Sequence, residues 1–241
     1  MKILQLNIWG GKLGKQIEEV LKREQPDIVC FQEVVSLPRI SERFFSPLEK
    51  FQQSGGFAHT FYSPTFGFTF MSRQAEFGNA ILSTLPFIST NTMFTRKTYV
   101  ENQDLLDDDY NIQNLQHAAI EHNGQTLHIL NHHGHHVREH KNGNEETMRQ
   151  CGEIADYIKT LNGLVVLTGD FNLAPDSESL EQINAVLVNH AKELGVLTTR
   201  TPLTHKTEVC DYIFTSSDIA VTDFQVLDDI ASDHKALVVE F

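Results

Sequence analysis

Apolar positions recur along this chain with two different periods. "KILQLNIW" alternates apolar and polar residues and predicts a strand, after which "GKLGKQIEEVLKREQ" spaces Leu13, Ile17, Val20 and Leu21 at helical intervals. "PDIVCFQEVV" is β-branched and aromatic behind a proline, the pattern of a buried strand. Residues 40 to 53 predict a helix, and Phe57 to Thr95 a group of strands broken at "SGG", "SP", "FGN" and "LP". "ENQDLLDDDYNIQN" has no period and predicts a long acidic loop. "LQHAAIEH" and "QTLHILNHH" follow as strands joined by "NG", a strong hairpin signal. "GNEETMRQCGEIADYIKTL" puts Met148, Ile154, Ile158 and Leu161 on one helical face, with Asn144 as its cap. "GLVVLTGDFNL" predicts a buried strand, "SESLEQINAVLVNH" a helix, and three further strand-like runs reach Phe241. Strands with interspersed helices predict one mixed α/β domain, residues 1–241, in which two sheets with much antiparallel pairing pack face to face and the helices lie outside.

Composition adds limits. With 40% hydrophobic and 21% charged residues among 241, the chain is that of an ordinary globular protein. Its first apolar run is broken by Gln5 and Asn7, so neither a spanning helix nor a secretory signal is expected, and a cytoplasmic location is. Cys30, Cys151 and Cys210 are far apart and odd in number, which predicts buried thiols rather than a disulfide framework. A net charge of −13 disfavours a broad grip on nucleic acid, though small anionic substrates stay open if metal ions supply positive charge.

Six of the twelve histidines fall in "LHILNHHGHHVREH", residues 127 to 140, which invites a zinc reading. "HHGHH" lacks the fixed spacing of a zinc cage, and a solvated loop is the expectation for His132, His135, His136 and His140. More informative are polar residues at the ends of apolar strands, because burying a carboxylate or amide without a partner costs several kcal/mol on the order given by transfer data. These are Asn7, Glu33, His133, Asp170 with Asn172, and Asp211, with Asp233 and His234 opening the last strand. Any one of them alone is equally compatible with a turn or a surface pair.

Taken together, "LNIW", "PDIVCFQEV", "FGNAILS", "LNHH", "GDFNLAPDS", "CDYIF" and "SDHKAL" resemble, in order and across residues 1 to 241, the endonuclease/exonuclease/phosphatase superfamily of metal-dependent phosphoesterases. The resemblance implies a four-layered α/β sandwich, two mostly antiparallel sheets flanked by helices, with the active site at one edge of the paired sheets. It departs from the family pattern at Thr84, where arginine is frequent, and at His132, where threonine is frequent.

The chemistry expected of each position is as follows. Glu33 offers the anionic oxygen that Mg²⁺ (or Mn²⁺) prefers, with Asn7 and Asp233 on the same metal side. Asp170 and Asn172, two apart on one strand, share a face and suit a carboxylate that orients or deprotonates water beside an amide that holds it. His234, with Asp211 fixing its tautomer, suits charge stabilisation in phosphoryl transfer, and His133 the phosphate or leaving-group side. Asn79 is a candidate substrate contact, and Arg200, with His205 and Lys206 nearby, a candidate phosphate ligand. Phe66, Phe68 and Phe70 share a strand face, for which core packing is expected ahead of base or lipid stacking. The expected activity is hydrolysis of a phosphodiester or phosphomonoester by in-line attack of water, by a monomer with no membrane span. A small-molecule or lipid-headgroup substrate is favoured modestly; a DNA or RNA nuclease and a catalytically silent phosphate-binding module are the alternatives.

Overall fold

The computed structural model describes residues 1–37, 44–106, 109 and 111–241. In chain order the elements are β1 Lys2–Asn7, α1 Gly14–Glu24, β2 Ile28–Ser36, α2 Leu48–Gly55, β3 His59–Phe70, β4 Arg73–Ser83, β5 Ser89–Arg96, β6 Gln113–His122 and β7 Gln125–His133. There follow α3 Glu145–Lys159, β8 Leu164–Asp170, α4 Glu178–Asn184, β9 Val188–Asn189, α5 His190–Glu193, β10 Asp211–Thr215, β11 Asp223–Val226 and β12 Leu237–Glu240. One six-stranded sheet has the order β11-β12-β1-β2-β4-β3 and the other β5-β6-β7-β8-β10-β9. β1 with β2 and β7 with β8 are parallel pairs, while the hairpins and the remaining neighbours are antiparallel. This is the expected sandwich.

Strand alternation divides the core into layers. Leu4, Leu6, Val29 and Phe31 face out of the first sheet toward Ile17, Val20 and Leu21 of α1 and Phe51 of α2. Leu130, Val165, Leu167 and Phe214 face out of the second toward Ile154 and Ile158 of α3 and Leu180 and Ile183 of α4. The intervening residues Ile3, Ile28, Cys30, Ile129, Val166 and Ile213 meet between the sheets. All three cysteines are free and buried, and burial pushes the Cys30 and Cys151 thiols up to about 12.

Local signals behave as their chemistry demands. The Asn144 side chain accepts from Thr147 N at 3.0 Å while Thr147 Oγ1 accepts from Asn144 N at 2.7 Å, closing a capping box at the start of α3. Asn123 and Gly124 both have positive φ, the turn that the β6–β7 hairpin requires.

Three expectations shift. Within the predicted 40–53 helix, residues 40–43 lie outside the described residues, Phe44 to Ser46 are not helical, and α2 begins only after Pro47, whose ring disfavours helical backbone at the preceding residue. The helix over 177–190 ends at Asn184, because Val188 and Asn189 pair with Thr215 and Phe214 at the sheet edge. The last strand begins at Leu237, with His234 ahead of it in an isolated bridge to Arg200. Of the acidic loop, Asp107 and Asp108 lie outside the described residues, whereas Asp109 meets Arg96 and Lys97, which hold its carboxyl down at about 2.

Candidate functional site

Register brings the predicted residues to one edge. His133 pairs with Asp170 across β7–β8, and Asp170 with Asp211 across β8–β10, so three chemical groups sit at one level of one sheet. In the facing sheet Asn7 pairs with Gln32 across β1–β2. Glu33 comes next, where the β2–β4 register shifts between Phe31 and Val34 and φ of Glu33 is +57°. A bulge with a left-handed non-glycine residue is strained backbone, and here it turns the Glu33 side chain to the cavity that Asp170, Asn172, Asp233 and His234 also line.

Asn7 ties the sheets together at this edge. Its amide nitrogen donates to Glu33 Oε1 at 3.0 Å and to Asp170 Oδ2 at 3.1 Å, and its oxygen accepts from Trp9 N at 3.1 Å. Asp170 Oδ1 accepts from the backbone of Asn172 at 2.9 Å. Asn172 therefore does not share a strand face with Asp170 as its spacing predicts. It lies just past the end of β8 with φ +56°, and a turn brings the two together. Gly169 makes the approach of β7 and β8 possible, since its φ is +153° and a Cβ there would overlap the carbonyl oxygen of His132.

Beside the carboxylates lie buried basic side chains. His234 Nδ1 meets Asp211 at 2.9 and 3.0 Å, and Arg200 Nη1 contacts His234 Nε2. Thr199 Oγ1 donates to Asp211 Oδ2 at 2.6 Å, fixing the carboxylate from behind. Arg200 is 6% exposed, and its Nε has no hydrogen-bond partner. Lys141, also buried, donates to Asn172 Oδ1 at 2.6 Å. Burial alone would raise the Asp170 carboxyl, but the positive field of His234, His133, Arg200 and Lys141 holds it well below the usual carboxylate range. Burial also opposes the His234 cation, and Asp211 and Asp170 outweigh it to raise that pKa. Lys141 moves the other way, lowered by burial.

Asn79 lines the same cavity, though its amide nitrogen is engaged by Asn114 at 2.9 Å. Lys206 reaches the cavity as well, as does His136. His132 is not in a solvated loop: it is buried on the outer face of β7, donating from Nδ1 to Asn114 O at 3.1 Å and edge-on to Phe171, and burial pulls its pKa down to about 4. His135 and His136 are half-buried and His140 is exposed. The histidine string thus diverges along its strand and loop.

Sequence reasoning missed Lys141 and an amide chain behind the site. Gln5 Nε2 donates to Asp211 Oδ1 at 3.2 Å and to Gln32 Oε1 at 2.8 Å; Gln32 Nε2 donates to Asn131 Oδ1 at 2.6 Å; and Asn131 Nδ2 donates to Gln116 Oε1 at 2.9 Å. The signal was present in "LQLN", "CFQE" and "LNHH", where amides occupy the inward positions of apolar strands.

Whether these residues fit a divalent cation turns on Glu33. Its half-buried carboxylate faces the cavity with an amide N–H as partner and no cationic partner among the described residues, and Asp233 supplies a second half-buried carboxylate on the same cavity. An oxygen donor set of this kind fits Mg²⁺ or Mn²⁺. Asp170, Cys210, Asp211 and His234 also place ligand atoms within 4.8 Å of one another. That tighter group is the poorer cage, because burial and Asp211 keep the Cys210 thiol protonated and Asp211 already holds His234 Nδ1. It contains none of the histidines from 127 to 140.

No helix among the described residues is long and apolar enough to cross a membrane. No curated protein matches the sequence. Solved structures do match the fold. An endonuclease/exonuclease/phosphatase family protein from Leptotrichia buccalis is 17% identical, with a TM-score of 0.74 over 100% of this chain and 98% of that one. A mannosyl-6-phosphatase from Bacteroides thetaiotaomicron is 16% identical, with a TM-score of 0.70 over 100% and 98%. A humanized D. rerio TDP2 is 17% identical, with a TM-score of 0.71 over 99% and 97%. The model of the Endonuclease/Exonuclease/phosphatase family matches residues 4–234, and this chain belongs to that family of hydrolases acting on phosphoester bonds.

Proposed function

We propose that this protein hydrolyses a phosphate ester with the help of a divalent cation, by in-line attack of water, and that its substrate is a small molecule or lipid headgroup rather than duplex nucleic acid. The observation that carries the reading is that one cavity is lined both by carboxylates, Glu33 and Asp233, and by buried basic side chains, Arg200 and His234. Phosphoryl transfer needs little covalent help from protein; it needs positioned charge around the equatorial oxygens and an aligned nucleophile. Glu33 and Asp233, with Asn7 orienting Glu33, would hold Mg²⁺ or Mn²⁺. When bound, such an ion supplies Lewis-acid stabilisation of phosphate oxygen charge.

The chain's own residues do the rest. Asp170, held ionised by its cationic neighbours, accepts a hydrogen bond from the attacking water and sets its direction, and Asn172, braced by Lys141, holds the water or a phosphate oxygen in line. Arg200, with an unpaired Nε–H, gives the phosphate a buried donor that does not titrate. Asp211 keeps a proton on His234 Nδ1 and stabilises positive charge on the ring, so that Nε2, once it takes up a proton from solvent, donates to a phosphate oxygen. His133, half-buried with Nε2 3.9 Å from Asp170, is placed to protonate the leaving oxygen. A net charge of −13 and a cavity of about 540 Å³ support a small substrate.

Hydrolysis of p-nitrophenyl phosphate and bis-p-nitrophenyl phosphate with Mg²⁺, Mn²⁺ or chelator tests the reading. Turnover that needs the cation and disappears in Glu33→Gln is expected; turnover of neither ester with either ion would refute it.

A further inference from the structure

The cavity has a second wall that the phosphate chemistry does not use. Phe45, Phe66, Phe68, Phe70 and Phe77 line it together with Ile112. The wall arises from one irregularity in β3. Pro64 pairs with Gly78 and Phe66 with Phe77, so Thr65 is an extra residue opposite a regular β4. Before this bulge the odd-numbered residues face the other sheet, where Ser63 meets Thr92 at 2.7 Å and Asn114 at 3.2 Å. One inserted residue exchanges the faces, and Phe66, Phe68 and Phe70 take over the inward side just where the sandwich opens at the site.

The rings are ordered by their neighbours. Phe66 stacks on Phe77 with centroids 5.0 Å apart and planes at 15°, and Phe45 meets Phe70 edge-on at 5.2 Å. Phe66 and Phe68 also pack into a small core with Val35, Leu37, Ala75 and Ile112, so packing and cavity lining fall to the same residues. Phe45, Phe70 and Phe77 stay partly exposed. A phosphate bound among Arg200, His234 and Glu33 would fill a small part of about 540 Å³ and leave this aromatic surface wet, at a cost of about 25 cal/mol for each Å² of apolar area that a ligand could cover.

We infer that the aromatic wall is the subsite for an apolar organic group on the substrate, so that the preferred phosphate ester is that of a hydrophobic alcohol rather than of a sugar, inositol or nucleoside. The inference rests on the phosphoesterase reading above and names its substrate class. An apolar alcohol buries its surface against Phe45, Phe70 and Phe77, while a polyol placed there would lose its hydration without gaining hydrogen-bond partners.

A matched series separates the two readings. Methyl, butyl, hexyl, phenyl and glycerol phosphates, each also as the methyl diester, are assayed by product release with Mg²⁺ and with Mn²⁺. The wild type is expected to favour the hexyl and phenyl esters over the methyl ester by about tenfold to hundredfold in kcat/KM. Phe45→Ala and Phe70→Ser should flatten that series, and Leu197→Ala, at a residue 90% exposed and away from the cavity, should not. A flat series, or preference for glycerol, overturns the inference and leaves the phosphoesterase reading standing. If no ester is hydrolysed, that reading fails, and calorimetry of the wild type with methylphosphonate, phenylphosphonate and hexylphosphonate decides the inference alone. At least tenfold tighter binding of the larger phosphonates sustains it; equal affinities overturn it.

Discussion

Between the two sheets the same strands build two opposite environments. At one end Ile3, Ile28, Leu127, Ile129, Val166 and Ile213 form a dry layer. Two to four residues away on the same strands the inward positions become Gln5 and Asn7, Gln32, Asn131, Asp170 and Asp211, every one buried. The apolar half needs only volume, since transfer of hydrocarbon from water drives its assembly and shape fixes its detail. The polar half must find partners for its donors and acceptors, and it finds most of them by threading Gln5, Gln32, Asn131 and Gln116 into a chain that ends on Asp211, with the Gln5 side-chain oxygen left without a partner among the described residues. The difference shows how a sandwich core can carry reactive groups: the dry half supplies rigidity, and the amide chain transmits it to the carboxylate that orients His234.

Mutations should separate the halves. The largest expected effect is at the site itself: Asp170→Asn should lower ester turnover by about 10²–10⁴-fold while leaving the melting temperature within a few degrees of wild type. Ile129→Ala, in the dry half, should cost about 2–5 kcal/mol of stability in urea unfolding and leave turnover per folded molecule unchanged. Gln32→Leu leaves the Asn131 oxygen and a Gln5 donor short of partners, and should cost about 1–3 kcal/mol in the same assay. Unlike Ile129→Ala, it should also reduce kcat, because Gln5 then holds Asp211 less firmly. Equal effects of both on turnover would erase the distinction.

The smallest effect lies outside both halves. His117, on the outer face of β6, meets Tyr157 Oη and His128 Nδ1, each at 2.8 Å, and burial with the His128 charge lowers its pKa from 6.5 to about 4. A histidine whose pKa is depressed by folding gives stability that is complete above 6.5, where the unfolded chain is also neutral. That stability is lost as pH falls toward 4, because the unfolded state binds the proton first. The slope from this one group is at most about 1.4 kcal/mol per pH unit. His117→Gln should make the acid limb of the stability curve shallower without moving the site's residues.

Much of this was legible in the sequence, for identifiable reasons. Asn7, Asp170 and Asp211 are conspicuous because polar groups stand where strand periodicity calls for apolar ones, and strand register then brings them to one edge, whereas Glu33 arrives through a bulge and His234 from the turn ahead of the last strand. Lys141 gave no such sign: it lies in a loop, and only the return of the chain past Asn172 buries it. The spacing of Asn172 from Asp170 suggests a shared strand face, but a left-handed turn brings the two together. His132 sits in a run of histidines that looks solvated, yet strand alternation turns it against Phe171. The helix over 177–190 was overextended because its periodicity competes with an edge pairing of Val188 that local sequence does not announce. The bulge at Thr65, which aims the phenylalanines, is likewise a property of register.

The most direct test of the central claim, that the polar end of the inter-sheet layer gathers a cation and a phosphate, is a crystal structure of the protein soaked with Mn²⁺ and inorganic phosphate. Anomalous density is predicted beside the carboxylates of Glu33 and Asp233, with phosphate against Arg200 and His234. Manganese bound instead along the histidines of residues 127 to 140, or phosphate lodged away from Arg200, would contradict the account.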